Sequence, residues 1–202
     1  MRFVENTRKP LGLGGTIMVS LMNIGHSALA DWGFRFLPVS AQSCVLDCGC
    51  GGGANLKKLL RRYPHSAVHG IDYAEVSVDS ASRVNQKAVQ SGRCHISCAS
   101  VANLPYDGEQ FDLVTAFETV YFWPGLSQCF GEIHRVLRPG GMFLICNECS
   151  GDTHKDDKWI RAIPGMTIYP DHQLKDILAQ AGFSDIQIHK NKKGWLCVTA
   201  RK

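Results

Sequence analysis

The chain has 202 residues, 45% of them hydrophobic and 20% charged, with a formal net charge of +4. That suffices for one soluble domain with a real core, and the charge excess is too small to mark a nucleic-acid partner. Charged or polar residues break every apolar run that could span a membrane, and residues 1–15 lack the apolar core of a secretion leader.

A cytoplasmic location is therefore expected. Nine cysteines, an odd number without a leader, predict reduced thiols. Cys44, Cys48, Cys50, Cys94, Cys98, Cys146 and Cys197 fall in or beside predicted strands, where thiols serve as small buried hydrophobes. Cys146-x-x-Cys149 has zinc-like spacing but no second half-site, so no metal is expected.

In chain order, residues 1–14 read as an irregular arm rich in charge, Gly and Pro. Residues 15–37 carry helical periodicity (Ile17, Leu21, Ile24, then Ala28, Leu29, Trp32, Phe36) and predict two short helices meeting near Gly25. From residue 43, strands at 43–48, 67–72, 93–98, 111–117 and 141–147 alternate with helices at 54–63, 74–91 and 125–137. Leu126, Cys129, Phe130, Ile133, Val136 and Leu137 form the apolar stripe of the last, which Pro139-Gly140-Gly141 ends. Residues 148–169 are irregular, with a short helix near Trp159. A helix at 171–181 stops at Gly182, and strands at 183–189 and 195–201 meet across Lys190–Gly194. This alternation implies a mostly parallel sheet covered on both faces, with ligand above the strand C-termini. Lys57, Lys58, Arg61 and Arg62 on one helix face, and Lys190, Lys192 and Lys193 in the hairpin, read as solvated charge; no basic stripe interleaved with aromatics suggests nucleic acid.

The most specific signal is Val45-Leu46-Asp47-Cys48-Gly49-Cys50-Gly51-Gly52-Gly53, an apolar strand ending in an acid and followed by alternating glycines. Glycine allows a sharp turn and close approach of a ligand to the backbone. Gly49, Gly51 and Ala54 also fit the dinucleotide pattern G-x-G-x-x-A, which would make the chain a nicotinamide dehydrogenase. Asp47 argues against that, because an anionic pyrophosphate gains nothing from an acid beside the turn. S-adenosylmethionine (SAM) has no phosphate and carries an ammonium and a sulfonium, which suit the acid. A second strand ends at Asp72, 25 positions later, where a carboxylate can accept both ribose hydroxyls; capping the helix at 74–90 is its other reading.

With these residues the chain resembles the class I SAM-dependent methyltransferases over roughly residues 40–202, within the small-molecule group related to the ubiquinone and menaquinone enzymes. Asp47-x-Gly49-x-Gly51-x-Gly53 resembles the family's first motif, and Asp72 its ribose-binding acid. Ala99–Tyr106 resembles the adenine-side loop, Phe111–Val114 the fourth strand, and Glu132–Gly141 the helix and turn before the fifth. Arg8-Lys9-Pro10, Gly12, Gly15, Met18, Met22-Asn23, Gly25-His26 and Trp32-Gly33 resemble uncharacterised bacterial members. Ser100 departs from the pattern, standing where an acid usually meets the adenine amine. The resemblance implies an α/β, Rossmann-like, doubly wound seven-stranded sheet, mostly parallel, with an antiparallel C-terminal strand. It further implies one domain, 1–202, with an arm and helical lid at 1–37 and a SAM-binding core at 38–202. Asp47, Gly49, Cys50, Gly51, Gly53, Asp72, Tyr73, Ser100, Val101 and Phe117 are the expected cofactor residues.

Methyl transfer is an in-line displacement in which the protein chiefly aligns acceptor and methyl; a base is needed only when the acceptor must lose a proton. Phe117-Glu118-Thr119-Val120-Tyr121-Phe122-Trp123 falls where acceptor should meet SAM, and the Asn/Asp-Pro-Pro-aromatic motif of amine-directed nucleic-acid enzymes is absent. Its aromatics suit either a flat acceptor or packing under the helix at 125–137. Met18, Met22, Asn23 and His26 share one helical side and read as lid residues on the acceptor, or as lid core. The expected acceptor contacts are these four with Glu118, Tyr121, Trp123 and Glu148; Asp152 is another carboxylate within reach. His26 and Tyr121 are the candidate proton-transfer groups, with a structural hydrogen-bonding role as the alternative. The expected function is methyl transfer from SAM to a small molecule. A SAM-sensing module without turnover remains the alternative, and nothing in the sequence speaks to oligomeric state.

Overall fold

The structure, a computed structural model, describes residues 27–39, 44–152 and 156–202. Helix α1 (Ser27–Gly33) runs into a 3-10 turn, Phe34–Phe36. Then come β1 (Cys44–Cys48), α2 (Ala54–Arg62), β2 (Ala67–Asp72), α3 (Glu75–Val84), α4 (Gln86–Gln90) and β3 (Cys94–Cys98). The second half holds β4 (Phe111–Phe117), α5 (Leu126–Val136), β5 (Leu137–Asn147), α6 (Asp157–Ala162), α7 (Asp171–Gln180), β6 (Ser184–Lys190) and β7 (Leu196–Arg201).

The seven strands form one sheet in the order β3-β2-β1-β4-β5-β7-β6. Every pairing is parallel except those of β7, which runs antiparallel between β5 and β6. The chain winds outward from β1 in both directions, so the topological switch lies between β1 and β4. In such sheets the ligand crevice opens at the C-terminal ends of the two strands that flank the switch.

β1 is buried on both faces, as a central parallel strand must be. One face carries Leu46, Val114, Phe143 and Ile145 beneath Phe130 and Ile133 of α5. The other carries Val45, Leu113 and Leu144 beneath Leu56, Leu59 and Leu60 of α2 and Leu29, Ala30 and Phe34 of the N-terminal segment.

Three expectations are corrected. The helix expected over 74–91 is two helices, broken at Asn85, whose side chain binds backbone instead of continuing the helix. The helix at 125–137 ends one residue early: Leu137 is extended and opens β5. Two cationic groups are not merely solvated. Lys58 Nζ reaches Asp31 Oδ1 at 2.7 Å and Ser27 O at 3.1 Å, while Arg62 Nη2 donates to Leu37 O at 3.0 Å, so α2 straps the N-terminal segment down. Lys190 likewise bridges Asp152 and Asp171.

In the described part of the expected lid, 27–37, Leu29, Ala30, Gly33, Phe34 and Leu37 are buried, while Ala28, Asp31 and Arg35 are exposed. Gly33 packs so closely that a Cβ there would lie 2.7 Å from Cys146 Sγ and 2.9 Å from Phe117. Its neighbour Phe34 stacks on Phe117 with ring centroids 5.3 Å apart. All nine cysteines are free, and all but Cys98 are buried; Cys98, expected inside, is exposed on the edge strand β3. Among the described residues no helix is long and apolar enough to cross a membrane.

Candidate cofactor and acceptor site

The glycine turn links β1 to α2 at the switch point. Four of its amides are occupied: Gly49 and Cys50 N–H donate to Ile71 O at 2.8 and 2.9 Å, Gly53 N–H to Cys50 O at 2.9 Å, and Gly51 N–H to Asp72 Oδ2 at 3.0 Å. Three glycines serve different ends. At Gly49, φ +78, a Cβ would lie 2.5 Å from Thr119 Cγ2; at Gly53, φ +80, it would lie 2.7 Å from the Ala81 backbone. At Gly51, φ +50, it would meet nothing within 4 Å. Gly49 and Gly53 therefore fit the turn to its neighbours, while Gly51 faces open space where a ligand can approach.

Two buried acids flank the turn. Asp47 is 1% exposed and accepts a hydrogen bond from Thr115 Oγ1 at 2.7 Å. Burial pushes its carboxyl up to about 7, and the nearby Asp72 adds to the rise. Asp72 Oδ2 takes the Gly51 amide and Oδ1 the Ala74 amide, each at 3.0 Å. Burial raises its pKa against those hydrogen bonds. Asp72 thus ties the turn to the start of α3, whose N-cap residue is Ala74 rather than Asp72. With two buried acids beside the turn, a pyrophosphate would meet repulsion, whereas a cation would relieve both acids.

The acceptor side lies past β4. Thr119 packs on Gly49 and donates to Cys48 O at 3.1 Å, which locks the β4 exit against the turn. Glu118 is partly buried with φ 60, a left-handed conformation that costs a non-glycine residue roughly 1–2 kcal/mol. Its Oε1 accepts the Tyr121 hydroxyl at 3.1 Å and also the Glu148 amide. The Tyr121 oxygen in turn accepts Cys149 N–H at 2.9 Å. Burial pushes the Glu118 carboxyl up to about 8 against the hydrogen bond from the Glu148 amide, and the charge of Glu148 adds a smaller rise.

The other expected site residues fall into groups. Tyr73 (43% exposed) and Ser100 lie open at the ends of β2 and β3, and Ser100 Oγ accepts Ala102 N–H. Val101 is buried beneath that loop, and the Cys50 and Phe117 side chains point into the core. Trp123 is 8% exposed, stacks on Phe143 and donates Nε1–H to Thr119 Oγ1 at 2.8 Å. It belongs with the core rather than the acceptor. Tyr121 is buried, its hydroxyl bound at both ends, and Glu148 is exposed. Met18, Met22, Asn23 and His26 lie outside the described residues. Among those described, no cluster of His, Cys, Asp or Glu is arranged for a metal ion.

Sequence reasoning missed Thr115, Thr119 and Asn85. Asn85 Nδ2 donates to Gly53 O at 3.0 Å and so pins the end of the turn from 32 residues away. An Asn inside a helical pattern, a residue that prefers to bind backbone, was the available signal.

Residues 46–145 match the methyltransferase domain family. A 24-methylenesterol C-methyltransferase 2 of Arabidopsis thaliana is 27% identical over 154 residues, which cover 71% of this chain but 42% of that protein. An uncharacterised methyltransferase of Bacillus subtilis, YdaC, is 27% identical over 90% of this chain and 96% of its own length. Among solved structures, the putative methyltransferase found in complex with the Trm112 activator of Haloferax volcanii superposes with a TM-score of 0.78 at 20% identity, over 91% of this chain and 92% of that one; the likeness is one of fold. By glycine turn, paired acids, sheet order and matched domain, this chain belongs to the class I SAM-dependent methyltransferases.

Proposed function

We propose that the protein transfers a methyl group from SAM to a small-molecule acceptor and releases S-adenosylhomocysteine. The observation that carries this reading is the pair of buried acids Asp47 and Asp72 beside the glycine turn. The cation of SAM would offset the cost of these buried acids. Asp72 would exchange part of its hydrogen bonding for the ribose hydroxyls, and the loop of Ser100 and Val101 would border the adenine. The acceptor would enter beside Glu118 at the ends of β4 and β5.

A small molecule suits this site better than nucleic acid, because the net charge of +4 is modest and the sequence carries no basic stripe interleaved with aromatics. The reduced thiols favour the cytoplasm. Residues 1–26, with Met18, Met22, Asn23 and His26, are proposed to close over the acceptor and exclude water from it.

Calorimetry with SAM and NAD, followed by an assay for S-adenosylhomocysteine release over a substrate panel, tests the reading. Tighter binding of NAD than of SAM would overturn it. SAM binding without turnover of any acceptor would favour a sensor.

A further inference from the structure

We propose that Glu118 is the proton acceptor of methyl transfer, positioned by Tyr121, and that the acceptor is a small molecule whose O–H or N–H proton leaves as the methyl arrives. This rests on the SAM-dependent reading above.

The first ground is location. Glu118 leaves β4 at the sheet's switch point, and the next residue, Thr119, is in contact with the glycine turn through Gly49. A carboxyl there lies at the boundary between cofactor and acceptor. The second ground is backbone conformation. Three described non-glycine residues have positive φ: Glu109, Glu118 and Asp185. Glu109 and Asp185 are exposed and remote from the crevice; Glu118 alone of the three stands at it. Strain held at a ligand crevice is a mark of function.

The third ground is the carboxyl's setting. Oε1 ties the end of β4 to the start of the loop after β5 through the Glu148 amide and the Tyr121 hydroxyl, so its direction is fixed. The titratable groups that face it among the described residues are Tyr121, from the turn after β4, and Cys146, Glu148 and Cys149, from β5 and the loop beyond. None is a cation. A glutamine would accept the same two hydrogen bonds without placing a second acid beside Glu148. An acid at this point gains from taking up a proton, and burial keeps its proton affinity near neutrality, where a general base works best.

The step balances. The acceptor's lone pair forms the new bond to carbon as the S–CH3 bond breaks, and the sulfonium's electron pair returns to sulfur. The acceptor's proton passes to the Glu118 carboxylate. Cationic SAM, carboxylate and neutral acceptor become S-adenosylhomocysteine, carboxylic acid and methylated product. Water then takes the proton during release.

The test measures S-adenosylhomocysteine release by the full chain with five protic probes (an alcohol, a phenol, a carboxylic acid, a primary amine and a thiol) and two aprotic ones (a thioether and a tertiary amine). Turnover is expected with a protic probe and neither aprotic one. Glu118→Gln should lower kcat on that probe at least 100-fold, leave SAM affinity within twofold and abolish the rise of kcat with pH. Tyr121→Phe removes a donor to the carboxylate, so its rising limb should move to higher pH with a smaller loss of kcat. A merely structural tyrosine would change the melting temperature and leave the limb in place. Intact SAM binding with Glu118→Gln near the wild-type rate overturns the assignment alone. So does equal turnover of the aprotic probes, or none of the protic ones by SAM-loaded wild type. Failure of the wild type to bind SAM overturns the cofactor reading, and this assignment with it.

Discussion

Binding of SAM should release protons from Asp47, and its affinity should therefore rise with pH. Burial holds the ligand-free carboxyl near pKa 7. A ligand cation about 5 Å away, at an effective dielectric of about 20, attracts the carboxylate by about 3 kcal/mol. At 1.36 kcal/mol per unit, that lowers the pKa by about two units, to around 5 in the complex. Between those two values each SAM bound displaces close to one proton, so Kd falls about tenfold per pH unit and levels above about pH 7, roughly 100-fold in all. Calorimetry at pH 6.5 in two buffers of different ionisation enthalpy counts the protons directly. Measurements stay at or below pH 7.5, so that the amino group of SAM keeps its charge. Asp47→Asn should remove most of the release while keeping an oxygen for the Thr115 hydroxyl. A wild-type Kd that does not change between pH 5.5 and 7, with no buffer-dependent heat, would refute the placing of Asp47 against the cation.

Four further outcomes are expected. Asp47 and Glu118 hold their protons more tightly when folded, up to about 7 and about 8, so the stability they lend is full below about pH 4 and is lost as pH rises through those values. The ligand-free melting temperature should fall from pH 5 to 8.5, and Glu118→Gln should flatten the upper part of that fall. Gly49→Ala should destabilise the fold through its clash with Thr119, whereas Gly51→Ala, strained in φ but open in space, should mainly lower SAM affinity; equal melting losses in the two would contradict the division of roles. Asp72→Ala should weaken SAM by about 1.5–3 kcal/mol, the scale of charged hydrogen bonds, as read by calorimetry on protein whose melt confirms folding. Deleting residues 1–24 should reduce turnover far more than SAM affinity, and full turnover by a folded deletion variant would remove the N-terminal segment from the acceptor site.

The order of elements was legible in the sequence because parallel α/β architecture writes itself locally. Apolar strands such as Val45–Cys48, the glycine run after them and the one-sided stripe of α5 each signal their structure without reference to partners. The acid at the end of β1 and the acid at the end of β2 were legible for the same reason, since strand ends in such a sheet are where ligands bind. Packing decided what periodicity could not. Trp123 and Glu118 lie five residues apart in one aromatic segment, yet one packs in the core and the other bonds Tyr121 and Glu148 across the ends of β4 and β5; that depends on the turn Val120–Phe122 and on Thr119 meeting Gly49. Asn85 reads as helix until Gly53 comes within reach of its amide. Lys58 and Arg62 read as solvated until the N-terminal segment lies against them. The proton affinities of Asp47 and Glu118 are likewise tertiary properties. They arise from burial and from a second acid brought close, one across the ends of the paired strands β1 and β2 and one across the ends of β4 and β5, and sequence spacing carries no measure of either.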